Sequence, residues 1–266
     1  MKAGPIASLL LAACILAIPP AAQSAPTADE IMQKNFFASK PKRVFQEVTM
    51  TLVNERNETR LRKITSLISL QANGFDTNIL VRFLAPPDVK GTSFLQIEHA
   101  QGEDDQWIFL PALHKSRRLV SSNRKDSFIG SDFSYGDVIP PKVSLYQHKL
   151  LREETVGTQP CYVVESVPVN DDVKRDYGYG RKITWVALES FFEMKTEYYD
   201  VTGRLLKTQL VKDIVKVDAE TNRWLAKYKE MTNRQTNHKT VITVDRYTTA
   251  TSITSATYTL RALEND

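Results

Sequence analysis

Gln106-Trp107-Ile108-Phe109-Leu110-Pro111-Ala112 runs into a basic cluster, Lys115-Ser116-Arg117-Arg118, and then into Phe128-Ile129-Gly130-Ser131-Asp132-Phe133-Ser134-Tyr135-Gly136-Asp137-Val138. Large aromatic side chains are concentrated in a segment whose Gly, Pro and Ser content predicts loop or short helix rather than core strand. A serine beside an aspartate with no base at any evident position cannot act as a nucleophile. The stretch reads as a wall and a lid around something apolar.

Outward from it, the chain alternates with period two. Val48, Met50 and Leu52 oppose Glu47, Thr49 and Thr51; Ile79, Val81 and Phe83 oppose Asn78 and Arg82; Ile183, Trp185 and Ala187 oppose Lys182 and Thr184. Met194, Thr196 and Tyr198 oppose Glu193, Lys195 and Glu197, and Ile242 and Val244 oppose Thr243 and Asp245. Such segments are strands with one wet and one apolar face, the habit of an antiparallel sheet. Asn73-Gly74, Asp200-Val201-Thr202-Gly203 and Asn233 supply turns between them.

One helix is expected at the start. Thr27-Ala28-Asp29-Glu30 is a capping box, Ile31, Met32, Asn35 and Phe36 share a face, and Ser39-Lys40-Pro41 stops the helix. A sheet of about ten strands curls, and its apolar face must be covered. Residues 28–38 and the region Ser131 to Ile139 are the helical candidates, too little to fill a concave face solid. The fold class is therefore mainly β (α+β), a large curved antiparallel sheet with a partly hollow, ligand-accepting interior.

Lys90-Gly91-Thr92-Ser93-Phe94-Leu95, Asp105 to Ala112, Arg117-Arg118 and Phe128 to Tyr135 together resemble the signature of the outer-membrane lipoprotein-sorting, LolA-like family. The resemblance continues through Cys161-Tyr162, Gly203-Arg204-Leu205-Leu206-Lys207-Thr208 and Leu260-Arg261-Ala262-Leu263-Glu264. It implies an unclosed β-barrel capped by helices around a hydrophobic cavity that shields acyl chains crossing the periplasm. Members of the branch with the Gly-Ser-Asp-Phe segment tend to accompany exporters of the resistance-nodulation-division type. Where that branch usually has Met, this chain has Ile129, and the classical carrier's own acyl-handling motifs find no match. The implied partners are lipid or lipoprotein acyl chains, an inner-membrane exporter and an outer-membrane acceptor, with no cofactor.

Alternation and the opening segment nominate the site. Val81, Phe83, Leu95, Ile97, Trp107, Phe109 and Trp185 are the expected wall; Phe128, Phe133, Tyr135, Val138 and Ile139 the expected lid. Arg117 and Arg118, between wall and lid, either hold a phosphate or carbonyl at the mouth or pin the lid through Asp132 or Asp137. A lid opens at small cost if it rests on ligand rather than on packed core. An accessory module docking on an exporter without cargo is the rival, its patch supplied by Asp171 to Gly180. An outer-membrane-anchored lipid acceptor is a further reading if Cys14 is acylated.

Enzyme classes find no support: Gly-x-Ser-x-Gly, His-Glu-x-x-His and a phosphate-cradling glycine loop are all missing from the sequence. His99, His114, His148 and His238 are scattered without metal-ligand spacing. Lys2, the apolar run Ile6 to Ile18 and the small residues up to Ser24 read as a secretory signal peptide of residues 1–24, leaving one lipid-binding domain over 25–266 of a periplasmic protein. Leu11-Ala12-Ala13-Cys14 has the letters of a lipoprotein box, the competing reading. The net charge is +4, or +3 without Lys2, and no basic stripe with interleaved aromatics points to nucleic acid. Cys161, alone in the mature chain, is expected as a buried small hydrophobe.

Overall fold

A computed structural model describes residues 25–139, 142–218, 220–249 and 252–264. Residues 1–24, the expected signal peptide, and with them Cys14, lie outside the described residues. Thirteen strands, numbered in chain order with β2 at Thr59–Leu70, β10 at Glu193–Tyr199, β11 at Leu205–Asp218 and β12 at Arg223–Asn233, form one antiparallel sheet in the order β6-β5-β4-β3-β2-β1-β13-β12-β11-β10-β9-β8-β7. Every neighbouring pair but one is consecutive in sequence; the exception, β1 (Arg43–Val53) beside β13 (Lys239–Thr248), zips the first half of the meander to the last. The sheet is an unclosed barrel, its strands more numerous than the expected ten.

The two free edges are β6 (Lys115–Leu119) and β7 (Tyr146–Val156), which follow one another in the chain. The segment between them, described over residues 120–139 and 142–145, therefore lies across the gap that the barrel leaves open, and it carries the lid. Both edges are dense in charge, Lys115, Arg117 and Arg118 on one and Lys149, Arg152, Glu153 and Glu154 on the other, which blunts edge-to-edge pairing with another chain.

Helix α1 (Ala28–Ala38) begins with the capping box: the Glu30 N–H donates to Thr27 Oγ1 at 3.2 Å, and the Thr27 N–H to Glu30 Oε2 at 2.8 Å. It lies on the concave face, where Ile31 packs against Val164 of β8 (Gln159–Pro168) and Val186 of β9 (Arg181–Ala187). Lys40, just past the helix, is buried; its ammonium donates to Glu98 at 2.6 Å and to the Phe75 carbonyl at 2.8 Å. The short helices are α2 (Tyr135–Val138), α3 (Asp171–Tyr177) and α4 (Leu260–Glu264).

Part of the sheet is buried on both faces. Over β3 (Thr77–Ala85), β4 (Ser93–Ile97) and β5 (Asp105–Leu110), Ile79, Phe94 and Ile108 face the concave core. Leu80, Leu95, Trp107 and Phe109 face the other way, beneath Tyr258 and Leu263 of the C-terminal segment. A second outward cluster joins Cys161, Val163, Trp185, Ala187 and Met194. Cys161 is fully buried and unpaired, and burial pushes its thiol up to about 11, which keeps it protonated and inert.

Candidate functional site

The concave face encloses a cavity of about 270 Å³. Its lining divides by chemistry. Val48, Met50, Ile64, Ile79, Ile242 and Val244, from β1, β2 (Thr59–Leu70), β3 and β13, make an apolar half, with Phe128 and Phe133 of the lid also in the lining. Strands β7 to β10 make a polar half: His148, Ser166, Lys182, Thr184, Glu193 and Thr196. Met32, Asn35 and Phe36 of α1, three of the four residues that helical spacing put on one face, line it too.

Of the expected wall, Val81 lines the cavity, and Phe83 lies in the concave core without reaching the cavity surface. Leu95, Ile97, Trp107, Phe109 and Trp185 are on the opposite face of the sheet, a correction to the expected placement. Adjacent strand residues point to opposite faces, so where both faces are apolar the pattern carries no sign of which one is concave. Trp185 shows the second cause: its neighbours Lys182 and Thr184, which read as the wet face, point inward.

A bulge compounds this in β10 (Glu193–Tyr199). Glu193 pairs with Val186, Lys195 with Trp185 and Thr196 with Thr184, with the register shifting between Glu193 and Lys195. The extra residue leaves Glu193 and Thr196 both facing the cavity, while Met194 joins the outward cluster.

Among the lid residues, Phe128, Phe133 and Val138 line the cavity. Tyr135 and Ile139 are buried in the core around it. The lid is tied down more firmly than a segment resting on ligand. Phe128 meets Phe94 edge-on at 5.5 Å and Tyr135 at 5.4 Å. The Ile129 carbonyl accepts from the Arg62 guanidinium, and Ile129 itself has φ of 48°, a strained value for a β-branched residue.

Arg117 and Arg118 do not reach Asp132 or Asp137. Both are exposed on edge strand β6, where Arg118 pairs with Asp105 at 2.6 Å on the neighbouring strand. Asp132 accepts from the Thr240 hydroxyl at 2.7 Å, and burial raises its carboxyl. The pin is Asp137, which accepts from Lys207 of β11 (Leu205–Asp218) at 2.5 Å, from the Tyr179 hydroxyl at 2.8 Å and from the Ser134 N–H at 2.7 Å. Burial alone would raise the Asp137 carboxyl, but the Lys207 ammonium and these donors hold it below its ordinary value. Lys207 had one sequence signal: it alternates in phase with Gln209 and Val211.

Asp171 to Gly180, offered above as an exposed patch, folds instead into α3 and its exit. The Val173 N–H donates to the Asn170 side chain at 2.9 Å, and Tyr177 and Tyr179 are buried and line the cavity. Gly136 of α2 sits against this helix so closely that a Cβ there would stand 2.8 Å from Tyr177 Cδ1 and 3.1 Å from the Arg124 carbonyl oxygen. Gly136→Ala is expected to push lid and α3 apart at a cost of about 1–3 kcal/mol; a thermal melt reads this, and an unchanged midpoint would mean the Tyr177 ring yields freely.

A family model described as an uncharacterized protein matches residues 76–265. The chain belongs to this family. It is similar to a candidate outer membrane lipoprotein-sorting protein domain from Vibrio parahaemolyticus, at 28% identity over 89% of this chain and 98% of that one, with a TM-score of 0.80. It shares the fold of a DUF1329 family protein from Desulfovibrio piger, at 24% identity over 89% and 97% of the two chains and a TM-score of 0.79. A LolA superfamily protein from Nitrosomonas europaea has the same fold at 21% identity over 90% and 100%, with a TM-score of 0.67. No curated protein matches the chain.

Proposed function

We propose that this LolA-like protein is a periplasmic carrier that takes one acyl chain of a lipid or lipoprotein into its cavity and moves it towards the outer membrane. The observation that carries the reading is the apolar half of the cavity, closed by Phe128 and Phe133 from a segment that bridges the two edges of the barrel. Each methylene leaving water contributes ~0.8 kcal/mol, so a whole chain supplies roughly 10 kcal/mol before ordering costs. At about 270 Å³ the cavity stands at the low edge of the ~300–1,000 Å³ usual for ligand sites, which favours a single chain over a bundle.

Val81, Phe128, Phe133 and Val138 are the acyl contacts in this proposal, and the Asp137–Lys207 pair is the latch. Residues 1–24 act as the signal peptide, and residue 25 onward forms one lipid-binding domain. An inner-membrane exporter as donor and an outer-membrane acceptor complete the path. Native mass spectrometry of protein purified from its own periplasm is expected to find one acyl-bearing lipid per chain. Protein that comes out consistently empty, and that takes up no lipid from vesicles, would overturn the carrier reading.

A further inference from the structure

Lys182 is a cation in a cavity, without an anion of its own. On β9 it stands between Ser166 of β8 and Tyr198 of β10, both of which line the cavity with it. Its ammonium rests 3.9 Å over the ring centroid of Tyr146, and no hydrogen bond or ion pair ties it among the described residues. The two carboxylates that influence it are committed elsewhere. Asp137 is held by Lys207, Tyr179 and Ser134. Glu193 accepts from Gln209 at 2.8 Å and faces Lys229 at 3.7 Å.

A second group points the same way. The Tyr146 hydroxyl is buried, in a residue 5% exposed, and it too has no hydrogen-bond partner. A buried donor left unmatched is costly, and the usual explanation is a partner that the protein alone does not supply. Ser166, Thr184 and Thr196 on the neighbouring strands also line the cavity, the Ser166 hydroxyl 2.8 Å from His148 Nδ1 and the Thr196 hydroxyl donating to that of Thr184 at 3.4 Å.

We propose that Lys182, with the Tyr146 hydroxyl beside it, receives the anionic oxygens of a ligand's head group, a carboxylate or a phosphate, inside the cavity while the acyl chain fills the apolar half. This rests on the reading of the cavity as an acyl site and moves head-group recognition from the exposed Arg117 and Arg118 to the interior. Burial lowers the Lys182 ammonium to about 8, so at neutral pH it is still a cation and can form a charge-assisted hydrogen bond with an incoming anion.

The test compares three ligands of one chain length on the delipidated mature protein at pH 7: palmitoleate, palmitoleyl alcohol and the phosphate monoester of that alcohol, each displacing a fluorescent acyl probe. At least one anion is expected to bind about tenfold or more tighter than the alcohol, and which anion it is separates a fatty-acid source from a phospholipid one. Lys182→Gln is expected to abolish the difference between anion and alcohol, and Lys182→Arg to keep it. Equal binding of all three by the unaltered protein, or a preference that survives Lys182→Gln, overturns the role of Lys182 while leaving the acyl site standing. If none of the three displaces the probe, the acyl site itself is wrong and this inference goes with it. Should Lys182→Gln fail to fold, Lys182→Met, which keeps the length of the side chain without its charge, takes its place in the comparison.

Discussion

Lys207→Met is expected to destabilise the protein by roughly 3–5 kcal/mol, because it strands the Asp137 carboxylate in the interior. At ~2–4 °C per kcal/mol for a chain of this size, the midpoint of thermal unfolding drops by about 6–20 °C. Lys207 and Asp137 side chains are 6% and 2% exposed, so water cannot take over the lost partner's role. Asp137→Asn is milder, since the amide still accepts from Tyr179. The double variant Asp137→Asn, Lys207→Met recovers much of the loss, because a buried pair replaced on both sides leaves no orphan charge. The pair also ties the lid to β11, so the single variant should take up and release a fluorescent acyl probe faster than the unaltered protein does.

The same pair sets an acid limit. Asp137 is held below its ordinary value in the folded chain, so its contribution is fully present above the unfolded-state value of about 3.9 and fades as the pH falls through the folded one. Denaturation midpoints between pH 3 and 7 should fall on the acid side, and less steeply in Asp137→Asn. Identical pH slopes in the two proteins would show that Asp137 carries none of the acid sensitivity.

Ile242→Trp is expected to weaken acyl binding by about 100-fold or more while the protein stays folded. Ile242 lines the cavity and is only half-buried, the mark of an inward side chain whose neighbours leave open space. An indole in that space displaces about four methylenes of ligand, and at ~0.8 kcal/mol each their loss is about 3 kcal/mol, or two orders of magnitude in affinity. Substitutions on the far face of the sheet are not equivalent: Phe109→Ala, beneath the C-terminal segment, should lower stability and leave affinity nearly unchanged. Displacement titration and thermal melts on both variants separate wall from outer core, and an affinity loss in Phe109→Ala matching that of Ile242→Trp would refute the assignment of faces.

The residues that were misplaced share a physical history. Leu95, Trp107 and Phe109 are apolar because the C-terminal segment covers the outside of β3 to β5, giving those strands two dry faces. Nothing within the strands announces a cover supplied by residues more than a hundred positions later. Lys182, Glu193 and Lys207 were read as surface or left unread, since a charged side chain in an alternating strand ordinarily marks the wet face. Here the wet face is an interior, and Lys207 is neutralised by a partner 70 residues away.

What the sequence determined by itself is what short-range physics decides. The capping box and stop signal of α1, the period-two strands, their turns and the antiparallel class each depend on a few neighbouring residues, and the linked motifs around Gln106 to Tyr135 carried the resemblance to lipoprotein-sorting proteins. Tertiary structure decided which face is concave, that the bulge at Glu193 turns a carboxylate inward, that the segment carrying the lid lies across the gap between edges β6 and β7, and that Asp137 rather than an arginine latches the lid. Those outcomes depend on curvature and on contacts between distant segments, where the free energy of a side chain is set by what covers it rather than by its place in the pattern.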